Sequence, residues 1–327
     1  MQKIDKIKID IINRDKTIGS SRLEFKISSK SLDYIAINTL RRTILSDIPI
    51  YAFNVFKFEK NTSVFNNNYI KLRLMNIPVW HIENNIIYFE EVKEVIETKD
   101  AIEDDDANHE DYSPDHEVNT TNIKQLTMYI NHKNKTKDIM TVTTEHAKFY
   151  YNEKLIKSPY IEPVPLIDLQ PDQEVALSAI SKLGIEEESA IYSPVSVCFY
   201  KMINDNEFNF IIESRGQLKE ETIISVACDN IIKRMSSFLK LLKDIKIDDK
   251  QEGTLNINNE GHTLGNIISR GLQQHDNISF AGYRLVHPLA KKLEILYKMK
   301  KTGKIINMIE EVINHYTEIY SEIKKKF

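Results

Sequence analysis

Gly261-His262-Thr263-Leu264-Gly265-Asn266, followed by Phe280-Ala281-Gly282-Tyr283-Arg284 and His287-Pro288-Leu289, lies near the end of a 327-residue chain, and a weaker copy of its plan lies near the start. The copy runs from Leu32 to Pro49 and continues as Tyr51-Ala52-Phe53. Two versions of one helix-and-strand unit in a single polypeptide point to half-domains built to pack on each other. Such a pair makes an assembly platform rather than a catalyst.

Working outward, Thr263–Gln274 reads as a helix with Leu264, Ile267, Ile268 and Leu272 on one side. In the copy, Ser31 or Asp33 can cap a helix carrying Ile37, Leu40, Ile44 and Leu45 at helical spacing, and Pro49 ends it. Arg41 and Arg42 stand side by side on this helix; arginine suits interfaces because its planar fork bonds in pairs and its stem packs. After Thr222 a long helix places Ile224, Cys228, Ile231, Met235, Phe238, Leu242 and Ile245 at alternating steps of four and three, a narrow heptad seam. A second seam closes the chain with Ile305, Ile309, Val312, Tyr316, Ile319 and Ile323. Each seam needs a partner, so the two are expected to pack together.

Strands are expected at Ile4–Ile12 and Arg22–Ser28, joined by a turn at Asn13-Arg14-Asp15-Lys16 and Gly19, and again at Tyr51–Phe58, Gln125–Ile130, Ile139–Thr144, Val175–Leu183, Val195–Met202, Phe208–Glu213, Thr254–Asn258 and Leu293–Tyr297. Between Glu90 and Glu117 thirteen acidic residues face only Lys93 and Lys99, a self-repelling stretch that reads as a solvated loop. Pro159, Pro163, Pro165 and Pro171 read as a stiff return path. The organisation expected is therefore a first half at 1–78, an insertion at 79–165, the rest of the first half with its heptad helix at 166–247, and a second half at 248–327.

Composition narrows the function classes. The net charge of −4 argues against a chain whose main task is to neutralise phosphates. Cys198 and Cys228 are the only cysteines, which excludes a disulfide framework or cysteine-rich metal site, and both fall at expected core positions. His109 and His116 in the acidic stretch read as solvated, and His262 reads as a structural residue at a helix start. Neither GxxxxGK[ST] nor GxGxxG occurs, so a nucleotide-dependent enzyme has no motif behind it. No catalytic residue, metal ligand or cofactor is assigned. The opening Met1-Gln2-Lys3-Ile4-Asp5 lacks an apolar signal core, no apolar run approaches the length of a membrane span, and a reducing intracellular setting is expected.

The C-terminal motif, with Phe280-Ala281-Gly282-Tyr283 and His287-Pro288-Leu289, resembles the signature of the smaller alpha-like subunit of cellular multisubunit RNA polymerases. Asn38-Thr39-Leu40-Arg41-Arg42-Thr43-Ile44-Leu45 with Asp47-Ile48-Pro49 resembles the corresponding helix of the larger alpha-like subunit and of bacterial alpha. Leu72 to Pro78, Tyr192-Ser193-Pro194-Val195 and Glu213-Ser214-Arg215-Gly216 are similar to further stretches of the larger subunit. A chain joining both resembles the fused subunit of large cytoplasmic DNA viruses.

This resemblance implies an α+β protein in which two alpha-like sheet-and-helix halves form an intramolecular pseudo-heterodimer, rather than a homo-oligomer, with a domain inserted in the first half. It implies a non-catalytic subunit of a DNA-directed RNA polymerase that holds the two large catalytic subunits beside the small ones, touches DNA only through the complex and meets no membrane. By the same resemblance, Arg41 and Arg42 are expected at positions that contact a large catalytic subunit. Leu40, Ile44, Leu264, Ile268 and Leu272, with Ile231, Met235, Phe238, Leu242, Ile309, Val312 and Tyr316 of the seams, are expected in the internal interface. The setting implied is the host cytoplasm, with packaging in the virion a further expectation. The insertion lacks the cysteines that bind metal clusters in some relatives, and no bacterial-type DNA-binding domain follows, so metal binding and promoter recognition are not carried over. The alternative from another class is a free-standing interaction or transcription-factor module reusing the same fold.

Overall fold

A computed structural model describes residues 4–17, 20–80, 125–244, 250–287 and 290–327. The acidic stretch 90–117 with His109 and His116, the residues Gly19, Ile245, Pro288 and Leu289, and the connection 246–249 lie outside the described residues. The chain forms two compact units, one from Met1–Ile48 with Pro194–Phe327 and the other from Pro49–Ser193.

In the first unit, β1 (Lys8–Lys16) and β2 (Ser21–Ser28) form the expected antiparallel hairpin. The run Asn13–Lys16 belongs to β1 rather than to the turn; a bulge between Ile11 and Asn13 lets pairing with β2 continue to Lys16. β2 also pairs β11 (Glu207–Ser214), which pairs β10 (Val195–Asn204), giving a four-stranded sheet ordered β1-β2-β11-β10. Alternation puts Leu23, Phe25 and Ile27 of β2 and Phe208, Phe210 and Ile212 of β11 on the buried side. The helices α1 (Tyr34–Ser46) and α3 (Glu220–Asp244) belong to this half.

The rest of the unit is a three-stranded antiparallel sheet ordered β12-β14-β13, from Glu252–Asn258, Ala290–Met299 and Ile278–His287. The sequence marks no strand at 278–287, because the exposed Phe280 and Val286 break the simple alternation that would have marked β13. The helix α4 (His262–Gln273) packs on β13 and β14. The last helix, α5 (Ile305–Lys324), lies antiparallel against α3: Lys324 reaches Asp229 at 2.6 Å while Lys243 reaches Glu310 at 2.8 Å. Both heptad seams therefore meet, and their side chains join one continuous core with those of α1 and α4.

The second unit is a five-stranded antiparallel sheet, β3-β9-β4-β6-β7, built from Ile50–Asn61, Glu174–Gly184, Leu126–Lys133, Ala147–Tyr151 and Lys154–Ile156. Asn152 and Glu153, with φ of 46° and 66°, make the tight two-residue turn between β6 and β7. A short pair, β5 (Met140–Thr143) with β8 (Pro165–Leu169), and the helix α2 (Asn67–Met75), capped by Asn66, complete it. Its core gathers Phe53, Leu74, Met128, Phe149, Val175 and Leu177. This unit is wider than the 79–165 expected from composition, because β3 and β9 are its own ladder and β4 pairs directly with β9. The proline-rich stretch contributes a strand at Pro165–Leu169 in addition to a return path.

Candidate functional site

The site is the meeting of α1 with α4 and of α3 with α5, all inside the first unit. It begins at Asp33, whose Oδ1 accepts from the backbone N–H of Ile35 at 3.1 Å and Ala36 at 2.9 Å, satisfying donors that the first turn of α1 leaves open. Its other oxygen, Oδ2, accepts from Arg270 Nε of α4 at 3.1 Å. One carboxylate thus starts one helix and grips the other.

The apolar residues expected at the internal interface come together. Leu40, Ile44, Ile231, Met235, Phe238, Leu242, Leu264, Ile268, Leu272, Ile309, Val312 and Tyr316 are all buried in the same cluster. Ile313, beside the second seam, is buried too, so the covered face of α5 is broader than a strict heptad stripe. Two glycines explain how closely the layers approach. A Cβ at Gly265, within the GHTLGN motif, would sit 2.6 Å from Leu293 and Tyr283 on the sheet below, and one at Gly271 would overlap Val312 of α5. By contrast, a Cβ at Gly261 would meet nothing within 4 Å. His262 opens α4 and stands edge-on to the Tyr283 ring, with Nδ1 3.3 Å from the phenol oxygen.

The two adjacent arginines diverge. Arg41 Nε donates to Asn38 Oδ1 at 3.0 Å on its own helix, and its charge faces Cys198 and Tyr200 of β10. Arg42 Nε donates to Thr263 Oγ1 at 2.9 Å, across to the start of α4. Arg41 is half-buried and Arg42 exposed.

The residue that the sequence did not single out is Arg234 of α3. Its Nε and Nη2 donate to Glu260, the shortest contact being 2.7 Å, while Nη1 donates to Asp47 Oδ2 at 3.1 Å. Asp47 follows α1, and Glu260 precedes α4, so one guanidinium ties three segments drawn from both halves. Beside it, Asn230 Nδ2 donates to the Asp47 carbonyl at 2.8 Å. At the other end, the Tyr320 hydroxyl of α5 donates to the Ala36 carbonyl at 3.0 Å, fully buried. Sequence spacing carries no signal for partners 187 residues apart; the only trace is a lone arginine among the polar positions of a seam helix.

Burial controls the titratable groups here. It pushes the Cys198 thiol up to about 12 against the opposing pull of Arg41, and raises Cys228 and the phenols of Tyr316 and Tyr320 well above their usual ranges. None of these groups is poised for acid–base or nucleophilic chemistry near neutrality. Among the described residues no cluster of three or more His, Cys, Asp or Glu could hold a metal ion, and no helix is long and apolar enough to cross a membrane.

Comparison with known proteins matches residues 30–235 and, separately, 252–326 to models of the same description, the RNA polymerase Rpb3/Rpb11 dimerisation domain. R470 of Acanthamoeba polyphaga mimivirus, named as a DNA directed RNA polymerase subunit, is 23% identical over 321 residues, which is 92% of this chain and 89% of the relative. The DNA-directed RNA polymerase II subunit rpb3 of Dictyostelium discoideum is 25% identical over 58% of this chain and 59% of its own length. A Caenorhabditis elegans protein named as the RPAC2 subunit of DNA-directed RNA polymerases I and III is 30% identical over 24% of this chain and 55% of its own.

Proposed function

The chain belongs to the RNA polymerase Rpb3/Rpb11 dimerisation-domain family, carrying two matches in series, and from that premise we propose that it is the assembly platform of a DNA-dependent RNA polymerase, presenting both halves of the dimer as one covalent unit to the large catalytic subunits. The observation that carries this reading is the single core shared by residues of both matched regions, closed by Arg234, Asp33–Arg270 and the α3–α5 seam. Residues spent in this way are fully occupied with each other, as pairing surfaces are, and leave outer faces for larger partners.

Arg41 is the stronger candidate for an outside contact. Its side chain bonds to Asn38 on its own helix, whereas Arg42 is engaged with Thr263 of α4. The same reading puts the protein inside the infected cell, in the host cytoplasm and in packaged virions, where mass spectrometry of purified particles would find it or miss it. The direct test is affinity purification of the tagged chain from cells making the whole polymerase. Recovery of the two largest subunits with the wild type, and their reduced recovery with Arg41→Ala, supports the reading; a chain recovered alone from such cells defeats it.

A further inference from the structure

The sheet of the second unit has two different faces. One is the core, with Met128, Phe149, Ala179 and Val175. On the other, strand register aligns Lys57, Ser178, Tyr129 and Lys148 in one cross-strand row, and Val55, Ile180, Thr127, Tyr150 and Leu155 in the next. Tyr129 is 46% exposed, and its ring meets Tyr150 edge-on with centroids 5.3 Å apart. Neither phenol has a hydrogen-bond partner among the described residues, so these rings are not held there by polar anchoring. Lys57 and Lys148 are exposed, and Lys182 is half-exposed farther along the face; none of the three forms an ion pair among the described residues. Glu174, at the end of the same face, is already held by Lys60 at 2.8 Å.

An exposed ring, Tyr129, between uncompensated lysines, with the half-buried Tyr150 beside it, offers what a single-stranded nucleic acid needs: a π-face for a base and cations for the backbone. Lys57 and Lys148 lie three strand spacings apart, about 14 Å, on either side of Tyr129. We propose that this face binds single-stranded nucleic acid, with a base stacked on Tyr129 and phosphates at Lys57 and Lys148. The overall charge of −4 does not oppose this, since the lysines are local and the Glu174 carboxylate is neutralised by Lys60. An acidic protein segment would use the lysines and the phenol O–H groups but would leave the π-face of Tyr129 uncovered. The proposal is independent of the pairing residues described above.

The test is fluorescence anisotropy of the full chain with a short labelled oligouridylate at low salt, with a duplex of matched length and polyglutamate as competitors. Wild type should bind the single strand in preference to both. Tyr129→Ala should weaken binding by about 5- to 100-fold while Tyr129→Phe retains it, and the Lys57→Glu, Lys148→Glu double variant should lower the slope of log affinity against log salt by about 0.7 for each phosphate no longer neutralised. Circular dichroism melting checks that each variant folds. No binding by wild type, equal binding by Tyr129→Ala, or equal competition by polyglutamate overturns the proposal. So does a lysine double variant that binds the oligonucleotide normally but loses a large polymerase subunit on purification, because the face would then be a protein interface.

Discussion

Arg234 of α3 holds Glu260 at 2.7 Å across the boundary between the two matched family regions, with the same guanidinium reaching Asp47 at 3.1 Å. All three side chains are largely removed from water, with side-chain exposures of 21, 15 and 12%. Deleting the cation takes a charge-assisted partner away from two largely buried carboxylates. Arg234→Met is therefore expected to destabilise the fold by about 3 kcal/mol, read as a lower urea midpoint at unchanged slope. Arg234→Lys should recover only part of the loss, since an ammonium cannot reproduce the fork; full recovery would mean that charge alone matters.

The paired seams give a sharper contrast. Phe238 is 1% exposed, while Leu241, three residues on, is 54% exposed. Phe238→Ala should cost about 3–5 kcal/mol through the cavity it leaves, whereas Leu241→Ala should stay within about 0.5 kcal/mol of wild type. Similar urea midpoints for both variants would contradict the burial of this face.

Close approach at the glycines is testable by the same urea titration. Gly271→Ala forces a methyl into Val312 and should cost about 1–3 kcal/mol as overpacking, but Gly261→Ala meets open space and should be tolerated. If Gly261→Ala proves the worse of the two, α4 and α5 do not approach as closely as Gly271 requires.

Alkali should unfold the protein cooperatively. Burial raises Cys198 and Tyr192 to about 12, and raises Tyr160, Tyr316 and Tyr320 above the usual phenol value. A folded-state pKa above the unfolded one means that the native state holds the extra proton. The associated stability is complete below the unfolded values of about 9 for thiol and 10 for phenol and is lost as pH climbs through the folded ones. The tyrosinate absorbance of these buried phenols, as distinct from that of the exposed Tyr34, Tyr69 and Tyr129, should therefore appear together with the loss of ellipticity above pH 10. Complete tyrosine ionisation ahead of unfolding would show the buried phenols to be accessible.

Much of the pairing core was legible in the sequence because helical spacing is a local signal: Ile231, Met235, Phe238 and Leu242 announce a buried stripe, and Asp33 announces a cap. Polar clasps were not, since nothing near Arg234 or Arg270 predicts Glu260 or Asp33 as partners. The extent of the second unit was also hidden. Tyr51–Phe58 and Val175–Leu183 are recognisable as strands, but their pairing with each other and with β4 is a long-range choice that alternation does not encode. The tyrosine–lysine row was invisible for the same reason, being assembled from four strands.

The clasp between Asp33 and Arg270 joins two regions that match the same family description separately, and both lie in one polypeptide. Here both sides are copied, mutated and inherited as one. A reversal of charge at one position can be answered by a change at the other in the same gene, with no second lineage to keep in step. The contacts between the two matched regions are therefore free to change in pairs, each substitution and its answer held in one reading frame.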